Sequence, residues 1–153
     1  MTTRNIFIKT VTDELISRIE KLTPKSQPLW GKMNVAQMLA HCCVSYELVY
    51  EMDKFPKPGR IMKFIIQLLA KSQVVGEKPY PKNGRTAPAF MITDERDFEK
   101  EKDRLVSYLI KTQELGESYF DGRESQSFGK LSIAEWNNLF YKHLDHHLKQ
   151  FGA

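Results

Sequence analysis

Apolar residues recur at helical spacing through most of this chain, and no stretch sustains the polar–apolar alternation that is typical of a strand. A capping box of the S-x-x-E type, starting at Ser132, marks the beginning of the last helix. Asn34, with Gln37 three residues later, marks the start of an earlier helix that runs through VAQMLAHCCVSYELVYEM. These signals predict an all-α protein, a bundle of four or five helices in a single domain over residues 1–153.

Proline- and glycine-containing stretches predict where the other helices begin and end. A first helix, starting near residues 10–13, is stopped by Pro24, and FPKPG precedes a third helix near residues 60–72. The run FIIQLLA in that third helix predicts that it is buried, and the run is too short to span a membrane. The stretch VVGEKPYPKNGRTAPAFM carries three prolines and two glycines, so it predicts a long irregular crossover before a fourth helix, for which Asp94 is the predicted N-cap.

The net charge of +4 is concentrated in one region, because residues 54–85 hold eight Lys or Arg and one acidic residue, Glu77. A basic region can bind phosphates. No zinc-finger spacing, Gly-rich phosphate loop or aromatic-basic RNA-binding signature accompanies it, which disfavours nucleic acid as a partner. The neighbouring Cys42 and Cys43 cannot form a disulfide framework, and the N-terminus lacks a signal-peptide pattern, so a cytoplasmic setting is favoured.

Three of the four histidines lie in YKHLDHHLKQFG, residues 141–152. On a helical wheel of about 100° per residue, His147 lies roughly 30° from the centre of the last helix's apolar face and His143 roughly 70°. His146 lies roughly 130° away, among polar residues. His143 and His147 are therefore predicted to point inward one turn apart, and His146 is predicted to meet solvent or the rim.

The fourth histidine, His41, lies on the flank of the second helix, where it can line a cleft between helices. If the second and last helices are neighbours, His41, His143 and His147 form a set of three nitrogens. Three protein ligands with an open fourth position are typical of catalytic zinc rather than of structural zinc. The alternative is that the inward histidines are separately hydrogen-bonded core residues. A zincin-type peptidase is unsupported, because Leu144 replaces the catalytic Glu of H-E-x-x-H.

Three segments carry a resemblance to a known family: WGKMNVAQMLAHC (30–42), RTAPAFMITDERDFEKEKDRL (85–105) and FGKLSIAEWNNLFYKHLDHHLKQFG (128–152). With a histidine in the second helix and an HxxxH pair in the last, the chain resembles the DinB/YfiT-like superfamily of proposed metalloenzymes. The similarity spans nearly the whole chain and is closer to the DUF1569 branch. One departure is the stretch 125–127, which reads Ser-Gln-Ser where relatives often carry a His-Pro-aromatic stretch.

The resemblance implies a four-helix bundle, often dimeric, that holds a divalent metal on three histidines matching His41, His143 and His147. It further implies that the metal, zinc or nickel among others, activates a low-molecular-weight thiol for S-transfer or isomerisation, or a water for hydrolysis. The partners implied are thus a small-molecule substrate and a second copy of the chain. The resemblance to the DUF1569 branch itself does not imply any particular activity.

Two classes of function follow from the sequence. The first is a metal-dependent enzyme with thiol-transfer or hydrolase-like chemistry. Its nearest acid/base candidates, Tyr46, Glu47, Tyr141 and Asp145, are each predicted to be structural or solvent-facing, so no catalytic residue is assigned. The second is a non-enzymatic, stress-associated bundle that binds a ligand or a metal. Five aromatic residues are candidates to line its pocket: Trp30, Phe128, Trp136, Phe140 and Phe151.

Overall fold

A computed structural model describes residues 3–153, and most of these residues are helical. The helices are α1 (Lys9–Glu20), α2 (Val35–Tyr50), α3 (Arg60–Val75), α4 (Phe98–Phe120), α5 (Ile133–Asn137) and α6 (His143–Gln150). The all-α class is thereby confirmed, whereas the arrangement as a four-helix bundle stays a prediction. A short antiparallel hairpin, in which β1 (Glu124–Ser125) pairs with β2 (Gly129–Lys130), was not predicted.

The second helix, α2, runs through the middle of the protein. Thirteen of its 16 residues are buried, so it has no solvent-facing side. The predicted capping box is confirmed, because the Asn34 side chain accepts from the Gln37 backbone N–H while the Gln37 side chain accepts from the Asn34 N–H. Helices α4 and α6 both pack against α2. The burial of α2 on all sides places any polar residue that it carries, His41 included, inside the protein.

A cluster of aromatic rings joins α4 to the last helix. Trp136 and Phe140 stack with ring centroids 5.6 Å apart, and both contact Phe120. All three side chains are almost completely buried. Truncating such an aromatic residue to Ala costs about 3–5 kcal/mol of stability. These rings are therefore core, which argues against a pocket lined by Trp136 and Phe140.

The last helix is continuous but not uniform. It begins at the predicted capping box, in which the Ser132 side chain accepts from the Glu135 N–H. A π-helical segment (Asn138–Lys142) then separates α5 from α6. A π-helix turns through a smaller angle per residue than an α-helix, so residues after this segment are rotated relative to a uniform wheel. Side-chain directions in α6 therefore depart from those predicted with 100° per residue.

The third helix was wrongly predicted to be buried. Val75 is its one buried residue, and the side chains of Phe64 and Leu68 are 65% and 71% exposed. An uninterrupted apolar run indicates burial only if a second element covers it. Among the described residues, α3 packs mainly against α5 and the π-helical segment of the last helix.

The crossover that follows α3 is irregular, as predicted, apart from a 3₁₀ turn at Pro88–Phe90. The predicted N-cap of α4 is corrected from Asp94 to Asp97, whose side chain accepts from the Lys100 N–H. Asp94 pairs instead with Arg96, with N and O atoms 3.0 Å apart. In the part of the chain that the structure describes, no helix has the length and apolar character needed to cross a membrane.

Candidate metal centre

The structure brings His41, His143 and His147 together. Ring centroids lie 4.9 Å apart for His41 and His143, 4.5 Å for His41 and His147, and 4.8 Å for His143 and His147. Each of the three offers a ring nitrogen within 4.8 Å of the other two. The grouping arises because His143 and His147 stand one turn apart on α6, and α6 packs beside the middle of α2, which carries His41.

Each Nδ1 atom of this group has its own hydrogen-bond partner. His41 Nδ1–H donates to the Phe90 carbonyl oxygen at 2.8 Å, and His147 Nδ1–H donates to Gln150 Oε1 at 2.7 Å. His143 Nδ1 lies 3.0 Å from Ser45 Oγ. A hydrogen bond from Nδ1–H leaves Nε2 unprotonated and orients the ring, as metal-ligating histidines require. The structure thus holds three imidazoles by one nitrogen and leaves the other nitrogen for a ligand.

The free nitrogens of two rings face each other closely. His41 Nε2 and His143 Nε2 are 3.0 Å apart. Two unprotonated ring nitrogens at this distance repel each other, so the contact requires a proton or a cation between them. A proton there makes His143 the Nε2–H tautomer, with Ser45 Oγ–H donating to His143 Nδ1. A divalent metal that takes neutral imidazole ligands, such as zinc or nickel, satisfies the same two lone pairs. The donor set therefore fits such a metal.

The bond that orients His147 is itself held in place. Gln150 Nε2 donates to the Trp30 carbonyl oxygen at 2.7 Å, which fixes the side-chain amide with Oε1 toward His147. Gly31 allows this approach, because a Cβ atom at Gly31 would lie 2.6 Å from Gln150 Nε2. Gly31 also has φ +84°, a conformation that favours glycine. The loop before α2 therefore has a conformation that leaves room for Gln150, the hydrogen-bond partner of the candidate ligand His147.

Burial keeps these histidines neutral. It lowers the pKa of His147 to about 3, with His41 acting in the same direction. Burial also moves the pKa of His143 well below its ordinary value, and the neighbouring His147 and His41 add to this. For His41, burial lowers the pKa although its hydrogen bond to Phe90 opposes the change. Neutral imidazoles are the form that binds metal.

Aromatic residues from the crossover cover the histidines. Phe90 contacts the rings of His41 and His143 edge-on, and Tyr80 contacts those of His143 and His146. His41 and His147 are 4% and 8% exposed, and His143 is partly buried. A pocket of about 180 Å³ lies next to the group, lined by Trp30, Tyr80, Lys82 and His146 among others, and none of the three grouped histidines is among its lining residues.

His146 stands outside the group, as predicted. Its ring lies 5.0 Å from that of His147 and packs against the ring of Trp30 at 5.7 Å. The half-buried imidazole belongs to the rim of the pocket rather than to the set of three nitrogens. The three ligands proposed from helical spacing are thus the three that the structure brings together.

The prediction that Asp145 points outward is wrong. Its side chain is buried, and Asp145 Oδ1 accepts from Arg18 Nη1 at 2.8 Å, while its other oxygen accepts from Lys149 Nζ at 2.7 Å. Helix α1 packs across α6 and supplies Arg18, so this side of α6 is covered by a second helix. The Asp145 carboxylate is committed to this ion pair.

The other acid/base candidates are structural, as predicted. Glu47 is buried and bonded to Arg104, and Tyr46 stacks between the rings of Tyr108 and Phe140. Tyr141 is also buried. None of these four candidates joins the group of three histidines, so the site has no assigned general acid or base.

Sequence reasoning missed the residues that orient the ligands, Ser45, Gln150 and Phe90. Ser45 lies four residues after His41, and Gln150 lies three residues after His147. The i+3 spacing puts Gln150 beside its partner His147, so a search along the helix would have found it. The i+4 spacing puts Ser45 on the same side of α2 as His41, but its partner is His143 from α6. Phe90 contributes a backbone carbonyl from the crossover, and no side-chain pattern reveals it.

Comparison with family models tests whether the chain belongs to the DUF1569 family. The model of the DUF1569 family, described as a protein of unknown function, matches residues 2–153. The chain belongs to this family. A search of curated proteins and a search of solved structures each found no match. Membership of DUF1569 confirms that part of the resemblance, while placement in the wider DinB/YfiT-like superfamily stays a prediction.

Proposed function

We propose that this DUF1569 protein binds one divalent metal ion, zinc or nickel, on His41, His143 and His147, and uses it to activate a small thiol or a water. The observation that carries the proposal is the anchoring of all three rings through Nδ1 while a second nitrogen of each remains for a ligand. A proton shared between His41 Nε2 and His143 Nε2 satisfies the same 3.0 Å contact, so the anchoring of all three rings is what favours the metal.

The protein's own residues have defined tasks in this proposal. The three imidazoles hold the ion, and the Phe90 carbonyl, Ser45 and Gln150 keep the rings oriented. A divalent metal bound there lowers the pKa of a coordinated thiol or water, which supplies a nucleophile near neutral pH. Three protein ligands leave the fourth position of a tetrahedral ion for a substrate or a water.

The surroundings favour a small substrate. The adjoining pocket of about 180 Å³ accommodates only a small molecule, and its lining combines aromatic and cationic side chains. Lys82 Nζ lies 4.4 Å from the centre of the Trp30 ring, at the edge of this pocket. Its ammonium group favours a substrate that carries a carboxylate or another anionic group.

A second candidate function is metal or ligand binding without turnover. It is favoured by the absence of a carboxylate from the three-His group within residues 3–153, since Glu47 and Asp145 are committed to ion pairs. Hydrolytic zinc sites commonly pair the metal with a general base. Activation of a thiol requires no such base if the thiol binds as its thiolate.

Turnover measurements on metal-loaded protein distinguish the two candidates. Zinc- or nickel-loaded wild type would be screened with low-molecular-weight thiols plus electrophiles, and with activated esters, beside His147→Ala and the exposed-loop variant Gln27→Ala. The enzyme proposal predicts turnover by wild type and Gln27→Ala, and none by His147→Ala. If wild type retains stoichiometric metal and turns over neither class of substrate, the binding function is the correct one.

A further inference from the structure

Helix α3 presents a strongly apolar side to solvent, whereas its half-buried side mixes polar residues with Ile66, Ala70 and Val74. Six large apolar residues occupy one side of the helix and are between 40% and 80% exposed: Ile61, Met62, Phe64, Ile65, Leu68 and Leu69. At about 100° per residue they fall within one continuous arc, and Ser72 is the one polar residue within that arc. We call these six residues the α3 apolar face. An ordinary surface helix has the opposite orientation.

Polar contacts attach α3 to the rest of the chain. Lys63 Nζ donates to Glu124 Oε1 at 2.8 Å, and Lys71 Nζ lies 3.5 Å from Glu135 Oε1. At the end of the helix, Lys142 Nζ donates to the carbonyl oxygens of residues 73, 76 and 78 at 2.6–2.9 Å. The inward orientation of the half-buried side is thus fixed by specific bonds, and the exposure of the α3 apolar face follows from it.

The size of the exposed area indicates an interface. With roughly 200 Å² for a fully exposed large apolar residue, the α3 apolar face exposes roughly 750 Å². The largest apolar patch on a typical monomer is roughly 300–600 Å². A standard protein–protein interface buries about 800 Å² on each partner. The face therefore has the area that one half of a stable interface needs.

We propose that the α3 apolar face binds the same face of a second copy of this chain. A helix face without a charged residue in its middle matches the core of a homodimer interface, where charged residues are depleted. The face spans residues 61–69, so Ile65 lies at its midpoint and near the two-fold axis of an antiparallel pair of helices. An anionic lipid surface fits less well, because Lys63 and Lys71, two of the three basic residues of α3, are already in ion pairs.

The oligomeric state of the full chain tests the proposal with a matched pair of variants. Leu68 on the face and Leu29 in the loop before α2 are both 71% exposed, so Leu68→Glu and Leu29→Glu make the same change at equal exposure. Sedimentation equilibrium should show a dimer for wild type and for Leu29→Glu. Leu68→Glu should raise the dimer dissociation constant about 100-fold or more, because each interface would bury two unpaired carboxylates. Far-UV circular dichroism should be unchanged in both variants.

A cysteine at the predicted axis gives an independent readout. Cys42 and Cys43 are buried, so Ile65→Cys would add an accessible thiol to a chain whose own thiols are protected. A short bismaleimide should join two Ile65→Cys chains and leave wild type as single chains. A wild type that is monomeric at all concentrations would overturn the proposal, as would a Leu68→Glu variant that stays dimeric. Binding of monomeric wild type to anionic phosphatidylserine vesicles, lost in Leu68→Glu, would assign the face to lipid instead.

Discussion

The hydrogen bond from His147 to Gln150 gives the sharpest test of the candidate centre. Replacing Gln150 with Ala removes the acceptor for His147 Nδ1–H and the donor to the Trp30 carbonyl, both at 2.7 Å. The backbone bond from Leu29 N–H to the Gln150 carbonyl is retained, so the end of α6 keeps its contact with the loop. The change is thus confined to the orientation and basicity of one proposed ligand.

The expected size of the effect follows from this geometry. His147 is 8% exposed, so water has little access to replace the lost acceptor. Loss of the hydrogen-bond partner of a metal-ligating histidine typically weakens metal binding 10- to 100-fold, so we expect Gln150→Ala to bind zinc about 10- to 100-fold more weakly than wild type. Gln150→Glu keeps an acceptor for Nδ1–H and should lose less affinity than Gln150→Ala.

Competition with a fluorescent zinc chelator at pH 7.5 measures these affinities. The matched control is Gln27→Ala, since Gln27 is an exposed loop residue whose amide donates only to the Lys25 carbonyl. Gln27→Ala should bind zinc as wild type does. Wild-type affinity in Gln150→Ala, or an equal loss in Gln27→Ala, would refute the assignment of Gln150 as the group that orients a ligand.

Three further predictions concern the same region. Ser45→Ala should weaken zinc binding about tenfold in calorimetric titrations, because it removes the partner of His143 Nδ1; an unchanged affinity would argue against that role. In metal-free protein, burial lowers the pKa of the three grouped histidines below the 6.5 of the unfolded chain, so the unfolded state binds more protons as the pH falls. Urea denaturation should therefore show a stability that is level above about pH 6.5 and declines below it; equal stability at pH 7.5 and 5.5 would contradict this. Burial raises the pKa of Cys43 to about 12 and that of Cys42 well above its usual value, so neither thiol should react with DTNB at pH 8 until the protein unfolds, and rapid labelling of native protein would show the assignment to be wrong.

Local signals in the sequence were sufficient for two of the helix starts. The capping boxes at Asn34 and Ser132 were both predicted and are both present, because a cap depends on residues three positions apart. The grouping of His143 with His147 could be predicted for the same reason, because one turn of helix separates them. His41 could be added because a polar residue in a helix as apolar as α2 needs a partner nearby.

Features that depend on contacts between residues far apart in the chain could not be predicted from the sequence. The wheel considers one helix alone and placed Asp145 in solvent, whereas Asp145 meets Arg18 from α1. The outward direction of the α3 apolar face follows from bonds to Glu124, Glu135 and Lys142, which lie far along the chain. In each case periodicity described the helix correctly, and its neighbours determined which side was buried.

Metal content tests the central claim most directly. Protein reconstituted with zinc or nickel and then desalted would be measured by inductively coupled plasma mass spectrometry for wild type, His143→Ala and His146→Ala, with folding checked by circular dichroism. We predict one metal ion per chain in wild type and in His146→Ala, whose imidazole lies outside the group, and almost none in His143→Ala. Wild type without stoichiometric metal, or a folded His143→Ala with as much metal as wild type, would contradict the three-His centre.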